Sequence, residues 1–207
     1  MTHLYLVRHG ETAWNAEGRY QGQANPVLNE QGIAQAHRLA EMLRGIEFDV
    51  AYTSDLERAR STAEIIGGDE IFFFTDPRWR ELSFGAWEGK RFEEIAEHDS
   101  ERLRDWVKDP TGNPPPEGES LRALAERVKE AASELCTEYP DGNVLVVTHG
   151  GPIRCLVAEW VLGGLHRMSD VHTELGSVTL MCVQRDESGQ WLAQVQEFEP
   201  VREAKHA

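Results

Sequence analysis

Cysteine is scarce. Cys136, Cys155 and Cys182 are the only three in 207 residues, and no C-x-x-C pair occurs. An odd, sparse count excludes a disulfide framework and points to a reducing compartment. Long hydrophobic runs are missing too. Purely apolar stretches such as Ile71–Phe74 and Val144–Val147 stop after four residues, far short of the ~20 that a membrane-spanning helix needs. The segment Met1–Arg8 has no apolar stretch of secretory-signal length before charge begins, so a cytoplasmic protein is expected. Positive charge is in the minority, with 21 Lys and Arg against 36 Asp and Glu and a formal net charge of −15. A uniformly acidic surface repels nucleic acid and anionic lipid, so neither is expected as a partner. A small anionic ligand in a locally basic pocket stays compatible with that charge.

Several chemical signatures are absent as well. There is no H-E-x-x-H and no Cys/His zinc spacing, and His166 and His172 read as loop residues. No metal is therefore expected. Gly85-Ala86-Trp87-Glu88-Gly89-Lys90-Arg91 has the wrong spacing and the wrong last residue for a Walker loop. No G-x-G-x-x-G follows a strand, no cysteine has an arginine six residues on, and no G-x-S-x-G elbow occurs.

A chain of 207 residues suits one domain carrying an insertion, and buries roughly 70% of its unfolded surface. Short β-rich runs alternate with longer helical ones, the pattern of an α/β layered fold. Strands are predicted at Leu4–Val7, Asp49–Thr53, Glu70–Thr75 and Asn143–Thr148. The last is apolar on both faces, hence central and parallel. Ile33, Ala36, Ala40 and Leu43 recur at helical spacing between a capping Asn29 and a stopping Gly45. Further helices are predicted over Leu56–Ile66, within Arg91–Lys108 as one or two charged pieces, after an N-capping Ser120, and from Pro152 to about Leu162. Asp109–Pro116 is too rich in proline to be helix or central strand. Ser177–Gln184 and Gln190–Phe198 read as a hairpin, and the tail from Pro200 is polar. From Glu81 to Tyr139 there are 15 acidic against 8 basic residues, the composition of solvated helix faces. Exposed residues near Val171–Val178 or the final hairpin are the candidate pairing surface, so the expected state is a monomer or a homodimer.

Two histidines stand in equivalent places. His9 follows one buried strand and His149 another, each beside glycine. In parallel α/β sheets, ligand sites form at the carboxyl ends of strands near helix N-termini. Arg8 adds a planar fork suited to phosphate or carboxylate. Arg58 or Arg60, at the start of the next helix, supplies a second cation. Gly150 lets backbone approach a ligand closely.

The run Leu6-Val7-Arg8-His9-Gly10-Glu11-Thr12, continuing to Trp14-Asn15, resembles the signature of the histidine phosphatase superfamily in its phosphoglycerate-mutase-like branch. Ser54–Ala59, Arg80–Gly89, Pro116–Ser120 and Val147–Gly151 resemble that family's later blocks, in order. Five blocks at family-like spacing are far more specific than one R-H-G. The resemblance implies a three-layer α/β/α sandwich with a mostly parallel central sheet, an antiparallel edge strand and a helical cap inserted at about residues 84–136. It implies a phosphomonoesterase acting on a small phosphorylated metabolite through a phosphohistidine on His9, without metal or organic cofactor. Arg8, Arg58 and His149 would hold the phosphoryl oxygens and Glu81 would be general acid and base. Asn15, Gln21, Gly22 and Gly150 would line the phosphate site. Two alternatives accompany this reading: a 2,3-bisphosphoglycerate-dependent phosphoglycerate mutase and a non-catalytic relative that binds phospho-ligands or proteins. Mutases carry more sequence between the third and fourth blocks, so the short stretch Glu81–Glu119 favours hydrolysis. Asn25-Pro26-Val27-Leu28-Asn29 departs from the Asp and Pro-Leu-Thr of many relatives, which leaves the role of Asn25 open. Phe84, Trp87, Phe92 and Trp106 suit either a pocket wall or the core of the cap.

Overall fold

The computed structural model describes residues 1–198, so the tail from Pro200 lies outside the described residues. The chain forms β1 (Thr2–Arg8), α1 (Ala13–Ala16), α2 (Glu30–Leu43), β2 (Val50–Thr53), α3 (Glu57–Gly67) and β3 (Phe74–Thr75). It continues with α4 (Phe92–His98), α5 (Ser100–Lys108), α6 (Leu121–Glu138), β4 (Asn143–Thr148), α7 (Gly150–Trp160), β5 (Val178–Arg185) and β6 (Trp191–Gln196). Three short 3-10 turns, at Pro77–Trp79, Gly85–Trp87 and Leu165–Asp170, have no counterpart in the sequence pattern.

The six strands make one sheet in the order β3-β2-β4-β1-β5-β6. β4 lies between β1 and β2, parallel to both, and β2 pairs parallel with β3. β5 runs antiparallel to β1, and β6 antiparallel to β5. The central strands are apolar on both faces because both are covered. Leu4, Leu6, Val144 and Val146 join the buried side chains of α6 and α7. Val7, Leu145 and Val147 join Leu39, Leu43, Ala59, Ala63 and Ile66 of α2 and α3. The result is a three-layer α/β/α sandwich.

Helix starts follow local capping chemistry. The Asn29 side chain accepts from the Gly32 N–H at 2.8 Å, and Ser120 Oγ accepts from the Ala123 N–H at 3.1 Å. Each satisfies an amide that the first helical turn leaves unpaired. All three cysteines are buried and free. No helix among the described residues is long and apolar enough to cross a membrane.

Three boundaries differ from the sequence reading. The run predicted as a strand over Glu70–Thr75 pairs only at Phe74–Thr75. Glu70 and Ile71 donate back to the Gly67 carbonyl, and Ile71 and Phe73 pack beneath the end of α3. Their burial is thus met without a ladder. Second, α6 is not part of the cap. Its buried face, from Leu121 to Cys136, belongs to the main core. The separate cluster consists of Trp87, Ile95 and Leu103, with Tyr20, Phe84 and Trp106 against it. Third, α7 begins at Gly150, ahead of Pro152, and ends at Trp160.

Parallel register sets the site. Arg8 pairs with Thr148, so the residues that follow, His9 and His149, emerge side by side. The His9 N–H donates to the Thr148 carbonyl at 3.0 Å, and the Ser54 N–H to the Val147 carbonyl at 2.9 Å. Three strand ends therefore deliver His9, His149 and the Ser54–Arg58 turn to one edge.

Candidate active site

His9 is 3% exposed. Its Nδ1 lies 2.7 Å from the Gly10 carbonyl. A carbonyl only accepts, so Nδ1 carries the proton and Nε2 keeps its lone pair. Arg58 Nε, 3.1 Å away, donates to Nε2 and enforces the same tautomer. The Gly10 N–H donates to Thr62 Oγ1 at 3.1 Å, which ties this loop to α3. Burial pushes the His9 imidazole well below its ordinary pKa. Arg58 adds to the shift, the Gly10 contact opposes it, and Arg8 reinforces it. The ring is a neutral base with its lone pair directed at a guanidinium.

Arg58 is fully buried in the first turn of α3. Its Nη1 donates to the Ala24 carbonyl at 2.9 Å and its Nη2 to the Gly22 carbonyl at 2.7 Å. Burial lowers its pKa to about 10, with Glu81 and Glu88 opposing, so the cation persists at neutral pH. Arg8 Nη1 donates to the Thr173 carbonyl at 2.7 Å, while its buried Nε has no partner among the described residues. Burial lowers this guanidinium too, against the raising field of Glu81. His149 packs edge-on to His9, ring centroids 5.0 Å apart. Its Nε2 lies 2.9 Å from Ser54 Oγ, and its buried Nδ1 has no partner among the described residues. Burial, then Arg58, then His9 push it well below the ordinary histidine value. Glu81 faces these groups. The Gly151 N–H lies 3.1 Å from each carboxylate oxygen, and the Leu82 N–H donates to Oε1 at 2.8 Å.

Arg8, His9, Asn15, Gln21, Gly22, Arg58 and Glu81 line one cavity of about 170 Å³. Two guanidiniums, Arg58 fully buried and Arg8 partly so, line this small space with the neutral His9 imidazole, and His149 packs against His9 from behind. Together they suit a compact, multiply charged oxyanion. A larger cavity, about 890 Å³, lies elsewhere, at the far ends of α2 and α3. Its charges are mostly carboxylates, from Glu47, Asp49, Asp69 and Glu70. No histidine lines it, and it lies away from the cluster at the strand ends. Among the described residues, no group of three or more His, Cys, Asp or Glu side chains is placed to hold a metal ion.

Residues 4–196 match the family model of the histidine phosphatase superfamily (branch 1). The chain belongs to that superfamily. It is 38% identical over 195 residues to a probable phosphoglycerate mutase GpmB of Yersinia pestis (strain Pestoides F), covering 93% of this chain and 89% of the relative. A putative alpha-ribazole-5'-P phosphatase from Escherichia coli K-12 superposes with a TM-score of 0.85 at 30% identity, covering 96% of each chain. A mycobacterial glucosyl-3-phosphoglycerate phosphatase does so with a TM-score of 0.81 at 30% identity, covering 93% of this chain and 97% of the other. Relatives named as phosphatases thus share this architecture, and a relative named as a mutase shares much of the sequence.

Within this histidine phosphatase, the structure gathers all five residues of the expected reactive set, Arg8, His9, Arg58, Glu81 and His149. Of the two arginines left open by helix spacing, Arg58 is the buried one, while Arg60 lies on the surface with Glu57 and Glu64. Gly150 lines an adjoining cavity of about 250 Å³ beside Arg8, and Gly151 supplies the amide that holds Glu81. A Cβ at Gly150 would stand 3.2 Å from the Arg8 guanidinium carbon. Asn15 closes a capping box with Thr12 at the start of α1. Thr12 in turn donates to the Gln21 carboxamide oxygen at 3.0 Å.

Asn25 acquires a role here. The α3 N-cap, Leu56, has no side-chain acceptor, and Asn25 Oδ1 accepts from the Glu57 N–H at 2.7 Å instead. It caps from a distance the helix that carries Arg58. The aromatics divide. Trp87 is core of the cap, Phe92 is 47% exposed, and Phe84 and Trp106 both back the cap and line a cavity.

Arg127 is absent from the sequence reading. Its guanidinium donates to the carbonyls of Arg78 (2.8 Å), Arg80 (2.7 Å) and Glu81 (2.9 Å), and grips the Glu119 carboxylate at 2.7 Å through both Nε and Nη2. In sequence it is one more charge on an amphipathic helix. Only the fold shows that it faces the Glu81 segment.

Proposed function

We propose that this histidine phosphatase is a phosphomonoesterase that hydrolyses a small phosphorylated metabolite through a phosphohistidine on His9. The observation that carries this reading is the neutral His9 with an Nε2 lone pair, held under Arg58 and Arg8 and opposite Glu81. In the first step the Nε2 lone pair forms a P–N bond while the P–O bond to the alcohol breaks. Glu81 gives its proton to the departing oxygen. In the second step Glu81 takes a proton from water, whose oxygen attacks phosphorus. The P–N bond breaks, its electron pair returns to Nε2, and inorganic phosphate leaves.

Arg8, Arg58 and His149 hold the three equatorial oxygens and offset their developing charge. The Arg8 Nε, partnerless among the described residues, is a donor that a bound phosphate would satisfy. No step calls on a metal or an organic cofactor. Three free, buried cysteines fit a cytoplasmic setting. A small phosphorylated metabolite is the partner, with no nucleic acid or membrane, and the enzyme works as a monomer or homodimer.

A second reading, a 2,3-bisphosphoglycerate-dependent mutase, has the name of the Yersinia relative in its favour. Against it, Glu81–Glu119 contributes a 3-10 turn, two short helices and a proline-rich turn, a small cover for a reaction that must exclude water. A phosphorus NMR time course with 3-phosphoglycerate, EDTA and a trace of 2,3-bisphosphoglycerate separates the two. Growth of inorganic phosphate supports the hydrolase. Growth of 2-phosphoglycerate without free phosphate establishes the mutase instead.

A further inference from the structure

Glu81 stands where three cavities meet. The phosphate-sized one lies toward His9. A polar one of about 250 Å³ is lined by Arg8, Arg154, His172 and Thr173. The third, about 390 Å³, is walled by Phe84, Trp106, Leu121, Leu124, Leu165 and Met168. Only the third reaches the ~300–1,000 Å³ of ordinary small-molecule sites.

If Glu81 protonates the leaving oxygen, the body of the alcohol extends past Glu81 and away from His9. The third chamber is the larger space on that path. Its walls are mostly apolar, with Arg154 and Glu81 at their edge, and its aromatic side is preformed. Phe84 and Trp106 pack edge to face with centroids 5.9 Å apart, and Tyr20 buttresses Phe84 at 4.7 Å. The cations near it are poorly placed for a buried anion. The Arg154 guanidinium donates to the Met168 carbonyl at 3.1 and 3.3 Å. Lys108 and His166 are exposed at the mouth. A carboxylate inside would meet only Arg154, whose guanidinium is already engaged by the Met168 carbonyl, and would lose water to the apolar walls, whereas an uncharged ring loses nothing.

We propose that this chamber is the leaving-group subsite, and that the preferred substrate is the phosphate monoester of an alcohol carrying an uncharged ring, not a phosphorylated hydroxy acid. This rests on the phosphatase reading above. The test compares kcat/KM for ethyl phosphate, naphthylethyl phosphate and 3-phosphoglycerate. All three leave through an alkyl oxygen, so differences in kcat/KM report the binding of the alcohol body.

The expected result is a preference for naphthylethyl over ethyl phosphate of about 100-fold, since one methylene in a fitted pocket already yields roughly 10-fold or more. 3-Phosphoglycerate should fall well below the naphthyl ester. Leu165→Glu and, as a surface variant that does not touch the core, Ser169→Trp should each cut the naphthylethyl-to-ethyl ratio by about 10-fold. Equal rates on the two alkyl esters, 3-phosphoglycerate as the best substrate, or variants that leave the ratio intact would each overturn the proposal while leaving the phosphatase standing. Release of phosphate from none of the three sinks the phosphatase reading and this one with it.

Discussion

Replacing Arg127 with methionine tests whether the segment that carries Glu81 is held or merely adjacent. Five contacts disappear together: three to backbone carbonyls at residues 78, 80 and 81, and two to Glu119. The Arg127 and Glu119 side chains are 19% and 16% exposed. Removing one partner of a well-buried pair costs about 3–5 kcal/mol. Part of that returns here, because Glu119 can turn toward solvent, so a loss of about 2–4 kcal/mol is expected. For a domain of this size each kcal/mol moves Tm by about 2–4 °C, which gives a drop of about 5–15 °C. Activity should fall unevenly. The Glu81 carbonyl is one of the lost anchors, and a displacement of ~1 Å at a catalytic group costs on the order of 100-fold. That loss should appear in kcat/KM for alkyl phosphates, which need a proton on the leaving oxygen. It should largely spare p-nitrophenyl phosphate, which does not. Arg127→Lys, with its point charge and no planar fork, should recover part of the Tm and less of the alkyl activity. A thermal melt and two Michaelis curves per variant suffice. An equal loss on alkyl and aryl esters would show that Arg127 supports the fold without placing Glu81, and an unchanged Tm would refute the energetic argument as well.

Other consequences are as specific. His9 and His149 are both held below the unfolded histidine value, so the unfolded chain binds protons that the native state refuses. Stability is therefore full above about pH 6.5 and declines as pH falls toward the folded values, by about 1.4 kcal/mol per pH unit for each ring. Urea midpoints from pH 7 to 5 should show the slope, and His149→Gln should flatten it by about half; a flat wild-type profile would contradict the buried neutral pair. At Gly151 an added Cβ would stand 2.0 Å from Glu81 Oε1, an atom that yields by moving. Gly151→Ala should thus keep Tm within a few degrees, helped by alanine's helix propensity, while alkyl kcat/KM drops about 100-fold. Activity kept intact there would mean that the carboxylate does not work from its observed seat. Asn25→Ala removes the remote cap of α3 and should cost about 1 kcal/mol, read as a Tm drop of about 2–4 °C. No change in Tm would show that water caps Glu57 equally well.

Most of the fold was legible because its signals are local. Asn143–Val147 is apolar at every position after the first, which only a strand covered on both faces satisfies. Asn29 and Ser120 announce helix starts through the oxygen each lends to an amide. The gathering of the candidate residues was legible for a related reason: His9, His149 and the Ser54–Arg58 turn each follow a strand end, and parallel register brings strand ends together. What stayed hidden depends on distance. Glu70–Phe73 has the composition of a strand, yet its burial comes from packing under α3, which no window of the sequence reveals. The face of α6 is amphipathic whether it covers a cap or the main sheet, so its allegiance to the main core had to be seen. Arg127 and Asn25 act across 46 and 32 positions of chain, on Glu81 and Glu57 respectively, and nothing beside either residue marks the contact.

The central claim is that phosphorus bonds covalently to His9 and that Glu81 serves both steps. Glu81→Gln with p-nitrophenyl phosphate isolates it. The aryl leaving group needs no acid, so the first step should proceed. Water then lacks its base, so the intermediate should accumulate. A burst of nitrophenolate near one equivalent per chain is expected, with a phosphoryl adduct that peptide mapping places on His9. An adduct on His149 or any other residue, or steady hydrolysis by His9→Ala, would contradict it.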